Sequence, residues 1–260
     1  MEDRKRQYGF SLTETLMAVG TLAVGLLFIG GTFMTSVYLT TVSTERTIAA
    51  VAADEAFAKI RLYELDPNAA GMKTDAFTPY EQIKTIPATE SLYPSTGDTS
   101  ASRYSWAALC KRAGTDSRLV QVIVFVCRES SAAAKYWVHT AGTDPPQLEE
   151  SDTPRPVRVT IMQAAAVQNT DEVSIVDANS TDTIDTRMFI NDGTSIVDGA
   201  TGQIYRVLKR FADQPDKVKL DRPWTGGAIA SPGGGVWVVP PPISGGRDPL
   251  VAIYEATLRF

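Results

Sequence analysis

The chain has 260 residues, a net charge of −5, a pI near 5.0 and 43% apolar residues, enough for a packed core. That balance excludes a disordered or collagen-like chain, and a single histidine, His139, with no basic excess gives no basis for a nucleic-acid partner. Two cysteines exclude a disulfide scaffold or a four-cysteine zinc site.

The apolar residues are unevenly spread. Between Glu14 and Glu45 lie 30 residues without a charge, and at about 1.5 Å per residue even 20 of them cross a hydrocarbon core. Arg4, Lys5 and Arg6 precede this span, which predicts a single-pass protein with its amino terminus cytoplasmic and the remainder outside. A cleaved secretory signal fits poorly, since its apolar run is about 7 to 15 residues. Ala49, Ala50 and Ala53 nevertheless supply small residues beyond the span.

Glu14 stands at the mouth of the span with no Lys or Arg inside to pair with it. A carboxylate in hydrocarbon costs on the order of 2.5 to 3.5 kcal/mol, so it needs a partner or must reach back to the headgroups. The run Gly9-Phe10-Ser11-Leu12-Thr13-Glu14, after a short basic leader and before a long apolar helix, resembles the class III signal of type IV pilins and type II secretion pseudopilins. The resemblance covers Arg4 to about Leu65. It implies a leader over residues 1–9, cut by a prepilin peptidase between Gly9 and Phe10, with methylation of the new Phe10 amine. It also implies that Glu14 pairs with the Phe10 ammonium of a neighbouring subunit during assembly. The implied partners are that peptidase, other pilin-like subunits, an inner-membrane assembly platform and the lipid bilayer. The implied location is the bacterial inner membrane, with a periplasmic head, and then a pilus or pseudopilus. Ser11 departs from the commoner Thr of the family. Ala23 to Leu27 looks most like the minor-subunit branch.

The helix is predicted to run from Phe10 to Leu65, about 84 Å, ending at Asp66-Pro67. Its upper part places Ala49, Ala53, Ala56, Phe57, Ile60 and Tyr63 on one face, with Glu55 and Lys59 as an i, i+4 pair. Gly30-Gly31 is either a soft point or a small surface for close helix packing.

Residues 66–102, dotted with prolines, read as a surface connection, and residues 103–260 as a β-rich head. Leu119 to Cys127 reads as a central strand buried on both faces, one of them meeting the upper helix. Further strands are predicted at Tyr104 to Leu109, Tyr136 to His139, Val157 to Met162, Arg187 to Ile190, Ser195 to Val197, Ile204 to Leu208, Val236 to Val239 and Leu250 to Leu258. Asn191-Asp192-Gly193 reads as a hairpin turn, and the flanking prolines and glycines put Val236 to Val239 at an edge or on a protruding loop. The expected fold is α+β and pilin-like: a long transmembrane and stem helix packed on an antiparallel sheet.

Cys110 and Cys127 lie outside the membrane and read either as a disulfide or as two buried thiols. The acidic tract from Asp171 to Asp198, with Asp177, Asn179, Asp182, Asp185 and Asp192, reads as solvated turns more than as a calcium site, because Met188 stands where an EF-hand wants Glu. No metal or cofactor is expected. No nucleophile, metal-hydrolase or phosphate-loop motif is present, so a non-enzymatic subunit is expected. The rivals are an anchored periplasmic binding or adhesion module that does not polymerise, and an anchored hydrolase built from acids distant in sequence.

Overall fold

The computed structural model describes residues 9–69, 71–95, 102–114, 118–131, 133–140, 147–162, 171–176, 184–225 and 235–260. The chain divides into two compact units, Met1–Thr47 and Ile48–Phe260. The first is the lower part of one helix, α1 (Leu12–Leu62), whose apolar window has a mean hydropathy of 2.0 and no buried residue. α1 is therefore one helix long and apolar enough to cross a membrane. It runs unbroken through Gly30 and Gly31, and it stops at Leu62 rather than Leu65. Asp66 accepts the Asn68 amide at 2.8 Å, closing an Asx turn that takes the chain away from the helix.

Among the described residues the second unit holds the upper part of α1, α2 (Tyr80–Ile83) and the strands β1 (Thr78–Pro79), β2 (Leu92–Tyr93), β3 (Tyr104–Arg112), β4 (Leu119–Arg128), β5 (Tyr136–His139), β6 (Leu148–Ser151), β7 (Val157–Met162), β8 (Glu172–Val176), β9 (Ser195–Asp198), β10 (Ile204–Arg210), β11 (Lys217–Leu220), β12 (Val236–Val238) and β13 (Leu250–Arg259). An antiparallel sheet runs β1-β3-β4-β13, with β2 also on β3. β4 lies at its centre. Its Val120, Val122, Val124 and Val126 pack on Ala49, Ala52, Ala53, Ala56 and Ile60 of α1, while Ile123 and Phe125 face Val197 and Trp237. The alanines let the sheet approach the helix backbone closely, so burial of small and β-branched side chains makes the α+β layer.

The opposite face of the sheet packs on an element absent from the sequence expectation. β7 to β12 close into a six-stranded barrel, ordered β10-β11-β8-β7-β12-β9, inserted in the chain between β4 and β13. Val157, Val159, Ile161, Val173, Ile175, Tyr205, Val207 and Val218 fill it. Alternation explains this, since one side of each strand points inward and the other carries the charges. β5 and β6 form a separate two-stranded ribbon.

Three expectations are corrected. Arg187 to Ile190 is not a strand; Thr186–Phe189 is a 3-10 turn, because Asp185 accepts the Arg187 amide at 3.0 Å and also binds its guanidinium. The Asn191 to Gly193 turn forms, with Gly193 at φ 83°, but it leads out of that 3-10 turn instead of joining two strands. β12 is paired on both sides, to β7 and β9, since barrel closure leaves it no edge. The described part of the connecting segment 66–102 lies at the surface but also buries Met72, Phe77 and Tyr80.

Candidate functional site

The first turn of α1 is built by a reciprocal cap. The Ser11 hydroxyl accepts the Glu14 amide at 3.3 Å, and the Glu14 Oε2 accepts the Ser11 amide at 3.0 Å and its hydroxyl at 3.3 Å. This is a capping box, in which two orphan backbone donors are satisfied by the two side chains. The spacing Ser11-x-x-Glu14 carries that signal in sequence, and the charge argument alone passes over it. The cap occupies Oε2; among the described residues Oε1 accepts no hydrogen bond, and Glu14 makes no ion pair. The basic leader residues Arg4, Lys5 and Arg6 lie outside the described residues.

Gly9 and Phe10 precede the helix as non-helical, exposed backbone, Phe10 being 87% exposed. No atom approaches within 4 Å of where a Gly9 Cβ would stand. An exposed, non-helical peptide bond preceding a helix is accessible to a protease. Along the span, Thr15, Thr21, Thr32, Thr35, Thr40, Thr41, Thr44 and Thr47 each donate a hydroxyl to a carbonyl one turn back, at 2.8 to 3.5 Å. Their polarity is absorbed within the helix, so they tolerate hydrocarbon and still present a narrow, small-residue surface. Gly31, Thr32, Thr35 and Ser36 share a shallow groove with Leu27 and Leu39.

Comparison with family models, with curated proteins and with solved structures gives no match. The likeness to pilins therefore rests on the residues from Arg4 to about Leu65 themselves.

The cysteines do not form a disulfide. Cys110 stands opposite Val122 and Cys127 opposite Ser105 in the β3–β4 ladder, five residues apart, or roughly 17 Å at the usual strand rise. They also face opposite sides of the sheet, Cys110 toward α1 and Cys127 toward the barrel. A bridge needs Cα atoms within about 7 Å, and both thiols are free and fully buried. Burial pushes both thiols far above their ordinary ionisation range, so neither is a nucleophile.

His139 serves the fold. Its Nε2 accepts the Arg158 amide at 3.0 Å, tying the β5–β6 ribbon to β7. Of the acidic tract, Asp171 pairs with Lys219 at 3.4 Å, Asp185 caps its turn and Asp198 accepts the amides of Ala200 and Thr201. Asp177, Asn179 and Asp182 lie outside the described residues. Among the described residues no three metal-ligating side chains converge.

One cleft in the second unit went unread in sequence. It holds about 250 Å³ and is walled by Glu81, Gln82, His139, Glu149, Arg155 and Trp237. Glu81 is ion-paired with Arg155, yet burial outweighs that partner and raises its carboxyl above the usual range. The residues come from α2, the ribbon, the loop before β7 and the barrel, so no sequence spacing announces them.

Proposed function

We propose that this chain is a non-enzymatic pilin or pseudopilin subunit, cut between Gly9 and Phe10, methylated at Phe10 and assembled through its apolar helix. The observation that carries this reading is an exposed apolar helix in which Glu14 is the sole charge from Phe10 to Thr44. A carboxylate there is tolerated when a second group neutralises it. The capping box stabilises Oε2 within the chain and leaves Oε1 for an ammonium from outside it. The freshly exposed amine of Phe10 on an adjacent subunit is such a group, and it meets Glu14 only when subunits stack in register. One acid then gauges assembly in the membrane. The threonines and glycines along the span support the same reading, because they let helices in a bundle approach closely.

The polar cleft beside Trp237 supports a second reading, an anchored periplasmic binding module that never polymerises. Glu14→Val separates the two. A filament subunit carrying it inserts in the membrane but fails to enter filaments; a binding module keeps its location and loses nothing. Filaments with wild-type incorporation of Glu14→Val would exclude the first reading.

A further inference from the structure

The carboxyl-terminal strand carries an open pairing edge. β13 is ten residues long and joins β4 on one side; among the described residues no strand lies on its other side. The opposite edge of the same sheet is blunted, since β1 and β2 are two residues each and β1 ends in Pro79. A long unblunted edge presents a row of unpaired backbone groups, a template for another strand. The Phe260 amide bonds the Arg118 carbonyl at 2.9 Å, so Leu258, Ala256 and Tyr254, two, four and six residues earlier, also turn their backbone toward β4. Glu255, Thr257 and Arg259 turn theirs to the open edge. Their side chains are exposed, on the face away from α1 and beyond Leu250 and Ile253, where the sheet meets the barrel-side core.

We propose that this edge pairs antiparallel with β13 of a second copy of the chain, about a two-fold axis through Thr257. The outward amides restrict the register to those that oppose odd-numbered residues. Centring on Glu255 sets two carboxylates against each other, and centring on Ala256 leaves Glu255 opposite Thr257 and Arg259 opposite Ile253. Centring on Thr257 sets Glu255 against Arg259 of the second copy twice over, Thr257 against itself, Tyr254 against Phe260 and Ala256 against Leu258. Opposite charges, paired aromatics and paired threonines are the favourable cross-strand combinations, and like charges the unfavourable one. Gln121 already holds one oxygen of Glu255 at 2.6 Å, which fixes the carboxylate beside the edge. The sequence from Tyr254 to Phe260 is thus complementary to its own reverse.

The axis stands normal to the sheet, so the sheets of two copies become continuous and the contact closes at two. The Ile48–Leu62 segments of the two copies lie on one face and run in opposite directions. This is the geometry of heads that meet from opposite directions, not of neighbours in one parallel stack, and it goes beyond the filament reading without depending on it.

Sedimentation of the full chain in detergent micelles, with cross-linking of Thr257→Cys by a short bismaleimide, tests the pairing. The native thiols are fully buried and do not compete. The expected result is a dimer that cross-links at position 257. Glu255→Arg and Arg259→Glu each weaken it by about tenfold or more, and the double exchange restores it to within about threefold. Circular dichroism melts of the variants check that each remains folded. Three results overturn the proposal: a monomer at about 100 µM, a dimer indifferent to both single reversals, as apolar helices alone would give, or a folded double variant that does not recover.

Discussion

Glu64, just past the last turn of α1, is the one non-glycine residue with positive φ among the described residues, at 49°. Left-handed backbone after a helix favours glycine, because a Cβ crowds the carbonyl there. Glu64→Gly is therefore expected to stabilise the Ile48–Phe260 unit by about 0.5 to 1 kcal/mol in urea melts, and a loss of stability would contradict the assignment. At Asp185, the hydrogen bond from the Arg187 side chain, opposed by burial and aided by the Arg187 amide, holds the carboxyl below its usual range. A depressed carboxyl contributes stability present above its unfolded pKa, about 3.9, and lost as pH falls through the lower folded value. The protection of the Thr186–Phe189 amides, taken relative to the intrinsic exchange rate at each pH, should therefore fall on acidification below about pH 4, and Asp185→Asn should remove that dependence. Cys110 and Cys127 should both count as free thiols in unfolded protein and resist alkylation in folded protein. A chain with no titratable thiol would restore the disulfide reading.

The elements differ in how much of themselves they show in sequence. β4 was legible because Val120, Val122, Val124 and Val126 alternate with Ile123 and Phe125, and a run apolar on both sides can only be central. The face of α1 was legible for the same kind of reason, its alanines recurring at helical spacing. β8 and β11 were not, since Glu172 to Val176 and Lys217 to Leu220 are short, carry charges on the outer side and gain their stability only from their barrel neighbours, β7 and β10, and from each other. Arg187 to Ile190 misled because a local cap outcompeted its strand propensity. Lys59 shows how the connecting segment is held: its ammonium reaches Glu55 at 2.9 Å, the Glu90 carboxylate at 3.0 Å and the Glu90 carbonyl at 2.7 Å. Only the Glu55 partner follows from spacing. Lys59→Ala is expected to cost about 2 kcal/mol and to loosen Ala88–Tyr93 first, read by hydrogen exchange. Unchanged protection there would show that the strap is ornamental.

For the molecule as a whole, the layer of helix on sheet followed from patterning, while the barrel did not, because closure depends on pairings between residues far apart in the chain. The insertion leaves β13 to complete the sheet after the barrel, so the last strand of the chain lies against its central one. Glu14 was legible as a charge in an apolar run and its capping box as the spacing Ser11-x-x-Glu14, whereas the polar cleft needed the fold. The filament reading rests on processing at Gly9, and the mass of the amino-terminal peptide from protein purified out of its native membranes tests it most directly. The account predicts a first residue of N-methylated Phe10. An unprocessed Met1, or cleavage near Ala49 to Ala53, would contradict it.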